Sequence, residues 1–317
     1  MKNFKNDVNV TGYVFNLGKN FNELQKNVTG PNSKHPGTEY IRGEINVATD
    51  DDAMNVVAVR FDYVPKTKKD GSENNNYKIL SDLMEHCDTY ETHGKEATKV
   101  RILGSIDCND WTNRDGEQVT SKRIRGGFIS TDVRNNPVLG ATFDADMLIA
   151  ACTEREYNDK PYVEVRGYVF NFFREAIPVT FNIRSGAGMD YFMGLDASSS
   201  NPTLTEVKGD IISSTVERQI EEESAFGAPT VRTVTRSLRT WDINWANPEP
   251  YEWDDESTLT KKEFKAMLQA REEKLAADQK RQEERRASRE GKAGFPEKST
   301  KKTAPVVEEE DDDEFPF

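Results

Sequence analysis

The chain has 317 residues, 35% hydrophobic and 31% charged, with a formal net charge of −13. That length suits roughly two globular domains with a polar extension. Acidic residues outnumber basic ones 41 to 29 even before Thr258, which excludes a generic basic nucleic-acid binder and leaves only one whose cations converge on a single groove.

Cys87, Cys108 and Cys152 are odd in number and widely spaced, and no apolar leader opens the chain. Both features fit a reducing cytoplasm. The longest apolar stretch, 147–152, falls far short of the ~20 residues a membrane-spanning helix needs.

Strand-like alternation starts at Val8, Val10 and Val14, returns at Ile41, Gly43, Ile45 and Val47, and again at Val57, Val59 and Phe61. A turn-rich segment, 65–76, precedes an amphipathic helix over 77–90, where Ile79, Leu80, Leu83, Met84 and Cys87 recur at helical spacing. Two further strands carry Val100, Ile102 and Ile106, then Ile124 and Phe128, with a turn at Asp115 and Gly116. Five strands with one helix between the third and fourth is the arrangement of the OB-fold, a small barrel that commonly binds nucleic acids.

The second half repeats that order: strands over 142–155, 162–173 and 178–184, a short helix over 188–197, then strands over 204–220 and 230–245. In this register Ile41, Arg42, Gly43 and Ile45 match Val165, Arg166, Gly167 and Val169, and Gly104 matches Gly209. A rival register, set by the identical strings 12–16 and 167–171, leaves the second barrel one strand short. The expected architecture is mainly β: a first OB-like domain (1–137), a second (138–247), a linker (248–258), a charged α-helix (259–292) and a disordered acidic tail (293–317). Thr260 and Glu263 form a capping box for that helix, and Phe264, Met267, Leu268 and Leu275 give it a short apolar stripe.

Single strands are gripped by aromatic faces that stack on bases and by cations that track phosphates. With Val8, Val10 and Val14 facing inward, Tyr13 and Phe15 face outward on the first strand as stacking candidates. Arg42, Arg101, Arg123 and Arg125 project beside inward-facing neighbours, and Trp111 stands in the loop before Asp115. The second barrel offers Arg166, Tyr168, Phe170 and Phe172 on one strand face, with Arg184, Arg232 and Arg236.

The chain closes on Glu308, Glu309, Glu310, Asp311, Asp312, Asp313 and Glu314, then Phe315, Pro316 and Phe317. Adjacent carboxylates repel one another and stay solvated, presenting two rings and a terminal carboxylate to a partner with a basic rim and an apolar pocket. This ending resembles that of single-stranded DNA-binding proteins, in which an acidic run closes with an apolar residue, Pro and Phe. The resemblance implies OB-fold domains that hold single-stranded DNA, and a tip, 311–317, that recruits replication, recombination or repair proteins such as a polymerase, helicase or recombinase. Tandem barrels with such a tail look most like phage-type replication proteins, which act in the host cytoplasm.

Catalytic signals are weak. Lys68, Lys69, Asp70 and Gly71 match a nucleotidyl-transferase string but sit in a polar connection where Asp-Gly makes a turn. His86, Cys87 and His93 lack a second ligand pair at zinc-site spacing, and no phosphate-cradling glycine loop occurs. The expectation is a non-enzymatic binder of single-stranded DNA with no cofactor or metal; a protein-interaction module, such as a virion component, is the alternative.

Overall fold

Period-two burial organises the first strand, β1 (Asn6–Asn16), which turns Val8, Val10 and Val14 into the interior. The computed structural model describes residues 3–113, 117–133, 138–222 and 230–290, with side chains described outside 215–237, 282 and 285–290. After β1 come β2 (Gln25–Val28), β3 (Glu39–Ala48), β4 (Val56–Pro65), α1 (Asn75–His86), α2 (Tyr90–His93), β5 (Lys99–Thr112) and β6 (Gln118–Ser130). The second half holds β7 (Gly140–Tyr157), β8 (Lys160–Phe170), β9 (Ala176–Ile183), α3 (Gly186–Gly194), β10 (Thr203–Glu222), β11 (Thr230–Ala246) and α4 (Lys261–Glu290).

Among the described residues the strands form one sheet in the order β10-β11-β9-β8-β7-β1-β5-β6-β4-β3-β2. Two further pairings, β1 with β3 and β7 with β10, close it into two five-stranded rings. The first runs β1-β3-β4-β6-β5 and the second β7-β8-β9-β11-β10, and each has one parallel pairing, β4 with β6 and β9 with β11, between its third and fifth strands in chain order. A helix lies between the third and fourth strands of each ring, α1 and α3. The mainly β architecture with two OB-like barrels is therefore present, and the register that kept the strand count is the one adopted. Strand β2 and helix α2 were not foreseen. Among the described residues no helix is long and apolar enough to cross a membrane.

The rings meet along β1 and β7, which pair antiparallel. Val8 pairs with Gly104 in the first ring, Phe143 pairs with Gly209 in the second, and Val8 and Phe143 pair with each other. A pseudo-twofold axis thus passes between equivalent residues. Both glycines stand at bulges of the fourth strand, as their matched positions foretold. A Cβ at Gly104 would lie 2.3 Å from the Arg125 carbonyl oxygen, and one at Gly209 2.0 Å from that of Asp242. Each barrel coils at this point because its backbones approach more closely than any side chain allows.

The pairings also correct one match. Val14–Val47 and Ile149–Gly167 are equivalent pairs, and both first strands bulge just beyond them. Glu44 therefore matches Glu164, Asn46 matches Arg166, and Arg42 matches Tyr162 rather than Arg166. The Ile-Arg-Gly and Val-Arg-Gly strings align locally, but the bulges fix the strands four residues away.

One apolar cluster runs through both rings, with Ile45, Phe61 and Ile102 in the first and Val165, Phe181 and Ile243 in the second. Each fully buried side chain of this kind contributes roughly 1.5–3 kcal/mol. Arms also cross between the rings. Lys122 on β6 donates to the Thr180 carbonyl on β9, its ammonium 5.4 Å from the ring centres of both Phe181 and Trp241. Reciprocally, the Ser213 amide of β10 donates to Asn55 Oδ1 at 2.6 Å.

The capping box forms as expected. The Glu263 amide donates to Thr260 Oγ1 at 3.2 Å, and the Thr260 amide donates to Glu263 Oε2 at 3.1 Å. Phe264, Met267 and Leu268 then pack with Leu148, Phe170 and Leu204 on the outside of the second ring. Residues up to Glu273 form one unit. Beyond it α4 continues as a charged helix in which Arg281 pairs with Asp278 at 3.4 Å.

Candidate nucleic-acid interface

The β7–β8 hairpin turns through Asn158 and Asp159, both left-handed (φ 51° and 57°), as a tight two-residue hairpin turn requires. That turn sets Tyr157 opposite Lys160 and Arg155 opposite Tyr162. Alternation then aligns Lys160, Tyr162, Glu164, Arg166 and Tyr168 on the outer face of β8. Arg184, just beyond β9, lays its guanidinium 5.4 Å from the Tyr162 ring centre, held by an Nε bond to Asp242 Oδ2 at 3.1 Å.

Glu164 is buried between two arginines, Arg155 at 3.8 Å and Arg166 at 3.4 Å. Those contacts are loose, and the arginine side chains stay open: 47% exposed for Arg155, 54% for Arg166 and 38% for Arg184. The same hairpin turns Glu154 and Glu156 to its other side, so like charges are separated by face. Cations that can reach phosphates thus stand beside tyrosine rings that can stack on bases.

The matching face of the first ring is built differently. Tyr40 and Tyr63 pair their rings at 4.8 Å, and Arg42 projects beside them. Next to these, Asp62 sits among three guanidinium groups: Arg123 at 3.0 Å, Arg60 at 3.5 Å and Arg125 at 4.0 Å. Arg123 also bonds Asp107 at 2.7 Å, and Arg60 pairs with Glu44 at 3.4 Å. Arg60 and Arg123 are only 21% and 28% exposed. These cations are already held by carboxylates.

Several expected contacts are covered. Tyr13, read as outward-facing, is 4% exposed. Tyr90 of α2 packs edge-on against it at 5.7 Å, and the Tyr13 hydroxyl donates to Asp51 Oδ1 at 3.2 Å. Phe15 stacks on the same Tyr90 at 6.2 Å. Phe170 is fully buried and Tyr168 partly so, because Phe264 of α4 lies against both. An outward strand face became an interior one wherever a helix docked on it.

The remaining candidates are scattered. Phe172 is exposed at the β8–β9 turn beside Phe173. Trp111 is half exposed near the end of β5. Arg101 is exposed on β5, where its Nε donates to Asn9 Oδ1 on β1 at 3.1 Å. Arg232 and Arg236 belong to β11, but their side chains, like the whole tip Asp311, Asp312, Asp313, Glu314, Phe315, Pro316 and Phe317, lie outside the described part. Of the expected set the second-ring face gathers Arg166 and Arg184, and the first-ring face Arg42, Arg123 and Arg125. Arg155, Tyr157, Lys160 and Tyr162 went unnoticed, although alternation continued through the hairpin and would have aligned them. Among the described residues no group of three or more His, Cys, Asp or Glu is placed to hold a metal ion.

A model of the YorF family matches residues 5–281. The chain belongs to the YorF family. The matched span covers both rings and most of α4. Among solved structures the chain is similar to the wild-type single-stranded DNA binding protein from Thermus aquaticus, at 11% identity and a TM-score of 0.47, covering 79% of this chain and 96% of that one. A deletion mutant of that protein is similar at 12% identity and a TM-score of 0.48, with 80% and 98% covered. No curated protein matches the chain.

Proposed function

We propose that this YorF-family chain binds single-stranded DNA without sequence preference, gripping it on the outer face of β8 and its neighbours. The observation that carries this reading is the convergence of Arg155, Arg166 and Arg184 with Tyr157 and Tyr162 on one open face, despite a net charge of −13. An acidic protein holds a polyanion only where its cations are sorted onto one surface, and the β7–β8 hairpin does that sorting. Stacking on tyrosine accepts any base, which accounts for a lack of sequence preference. The face positions a strand and performs no chemistry, so the protein acts by covering DNA rather than as an enzyme.

The test is anisotropy of a labelled dT oligomer titrated at low salt. The wild-type chain is expected to bind, and the Arg155→Ala, Arg166→Ala double variant to bind more weakly, with a log–log salt slope flatter by about 1.4, or ~0.7 per lost contact. Absence of wild-type binding refutes the proposal.

A role in replication, recombination or repair follows if the tip at 311–317 recruits a partner, through charge-guided encounter and an apolar pocket for Phe317. Truncation before Glu308 is then expected to leave dT binding in place while co-elution with a polymerase, helicase or recombinase is lost; unchanged co-elution removes this part. One observation favours a protein-docking module instead: Phe172 and Phe173 stand open at a turn braced by Asn171, which accepts from the Glu175 amide at 2.8 Å. A chain serving only that purpose leaves dT anisotropy unchanged.

A further inference from the structure

We infer that the outer face of the first ring is a second single-stranded DNA site, kept closed by Asp62. This rests on the proposed DNA binding and adds a residue that governs how much strand one chain holds. In an OB fold the second and third strands and the loop joining the first two form the ligand face; here these are β3, β4 and the segment 17–38. Two elements of a strand site are already open on that face: the Tyr40–Tyr63 ring pair, with Tyr63 exposed, and Arg42, exposed and in no ion pair among the described residues. The connecting segment reaches over the same surface, where Asn22 Oδ1 accepts from Arg60 Nη1 at 3.3 Å.

The remaining cations of that face are held, and the holding has one main cause. Asp62 contacts Arg60, Arg123 and Arg125 together. A phosphate approaching any of them must displace this carboxylate and also meet its repulsion. Partly exposed ion pairs of this kind are individually weak, so the closure is a threshold rather than a block. The pseudo-twofold axis supplies the comparison. Glu44 and Glu164 are matched acids, each beside arginine. The second ring, however, has no acid placed like Asp62 among three arginines in the described residues, and its arginines stand open.

The experiment places Asp62→Asn in the chain whose second-ring face is disabled by Arg155→Ala and Arg166→Ala. Asparagine keeps the shape and one acceptor while removing the charge. Restored dT binding is expected, about ten-fold tighter than in the double variant, with the salt slope steeper by roughly 0.7 for each arginine engaged. Tyr63→Ala should then abolish the gain. No gain in a folded Asp62→Asn triple variant overturns the inference, even if the wild-type chain binds. If the wild type itself does not bind, it is the parent proposal that fails. Should Asp62→Asn lower the melting temperature enough to cloud the result, Asp107→Asn removes one of the two carboxylates that hold Arg123, and a smaller gain in the same direction is required.

Discussion

The two rings share a strand order, a bulge in the first strand and a glycine in the fourth, yet equivalent outward positions carry different chemistry. Where the first ring has Arg60 and Arg125, the second has Asn182 and Asp242; where the first has Arg42 and Asn46, the second has Tyr162 and Arg166. Inward positions are set by barrel closure and repeat, whereas outward ones are not needed for closure and have diverged into one open face and one self-paired face. Duplication of a fold did not duplicate its site.

The shared scaffold is the easiest part to break. Gly104→Ala and Gly209→Ala each force a Cβ against a carbonyl and should cost on the order of 3 kcal/mol, similarly in both rings, as read from urea denaturation. A large cost in only one ring would contradict their equivalence. Phe264→Ala is expected to cost about 2–3 kcal/mol, because Phe264 covers Phe170 and Tyr168. It sharpens the contrast, since the apolar stripe of α4 packs on the second ring, whereas α4 reaches the first ring through a polar contact, Arg271 pairing with Asp110 of β5 at 2.6 Å.

The open face predicts a smaller but more specific effect. Tyr162→Ala should weaken dT binding by ~1–3 kcal/mol, the range for one stacked base, and Tyr63→Ala in the otherwise wild-type chain by much less. Equal losses in the same titration would mean that both faces are open.

The crossing arm gives a pH signature. Burial pushes the Lys122 ammonium down to about 8 from its usual 10.5, against the opposing pull of Asp242 and Glu164. Between those values the unfolded chain binds more protons than the folded one, so stability should rise with pH from about 8 to 10.5, by at most ~1.4 kcal/mol per unit. Lys122→Met should remove that rise in thermal melts recorded across the window. A variant that keeps the slope would place its origin elsewhere.

Much of the scaffold was legible because its signals are local. Alternation at Val8, Val10 and Val14 marked a half-buried strand, Thr260 and Glu263 marked a helix start, and Gly104 with Gly209 marked matched bends. The site was less legible because its determinants are distant in sequence. Nothing near Tyr13 announces Tyr90, nothing near Phe170 announces Phe264, and the pairing of Arg123 with Asp62 spans 61 residues. Alternation shows which side of a strand a residue takes, not what later covers that side. Arg155 and Tyr162 were within reach of the same pattern, but only once the Asn158–Asp159 turn fixed their pairing.

Exposed, loosely paired arginines on the second ring are proposed to hold the strand, while on the first ring Arg60 and Arg123 are taken up by carboxylates. Anisotropy of one labelled dT oligomer, titrated at low salt with the Arg155→Ala, Arg166→Ala variant and with an Arg60→Ala, Arg123→Ala variant, separates the two faces. A large loss of affinity is expected for the first pair and little change for the second; equal losses, or the reverse order, would mean that the strand is not held by the second-ring face.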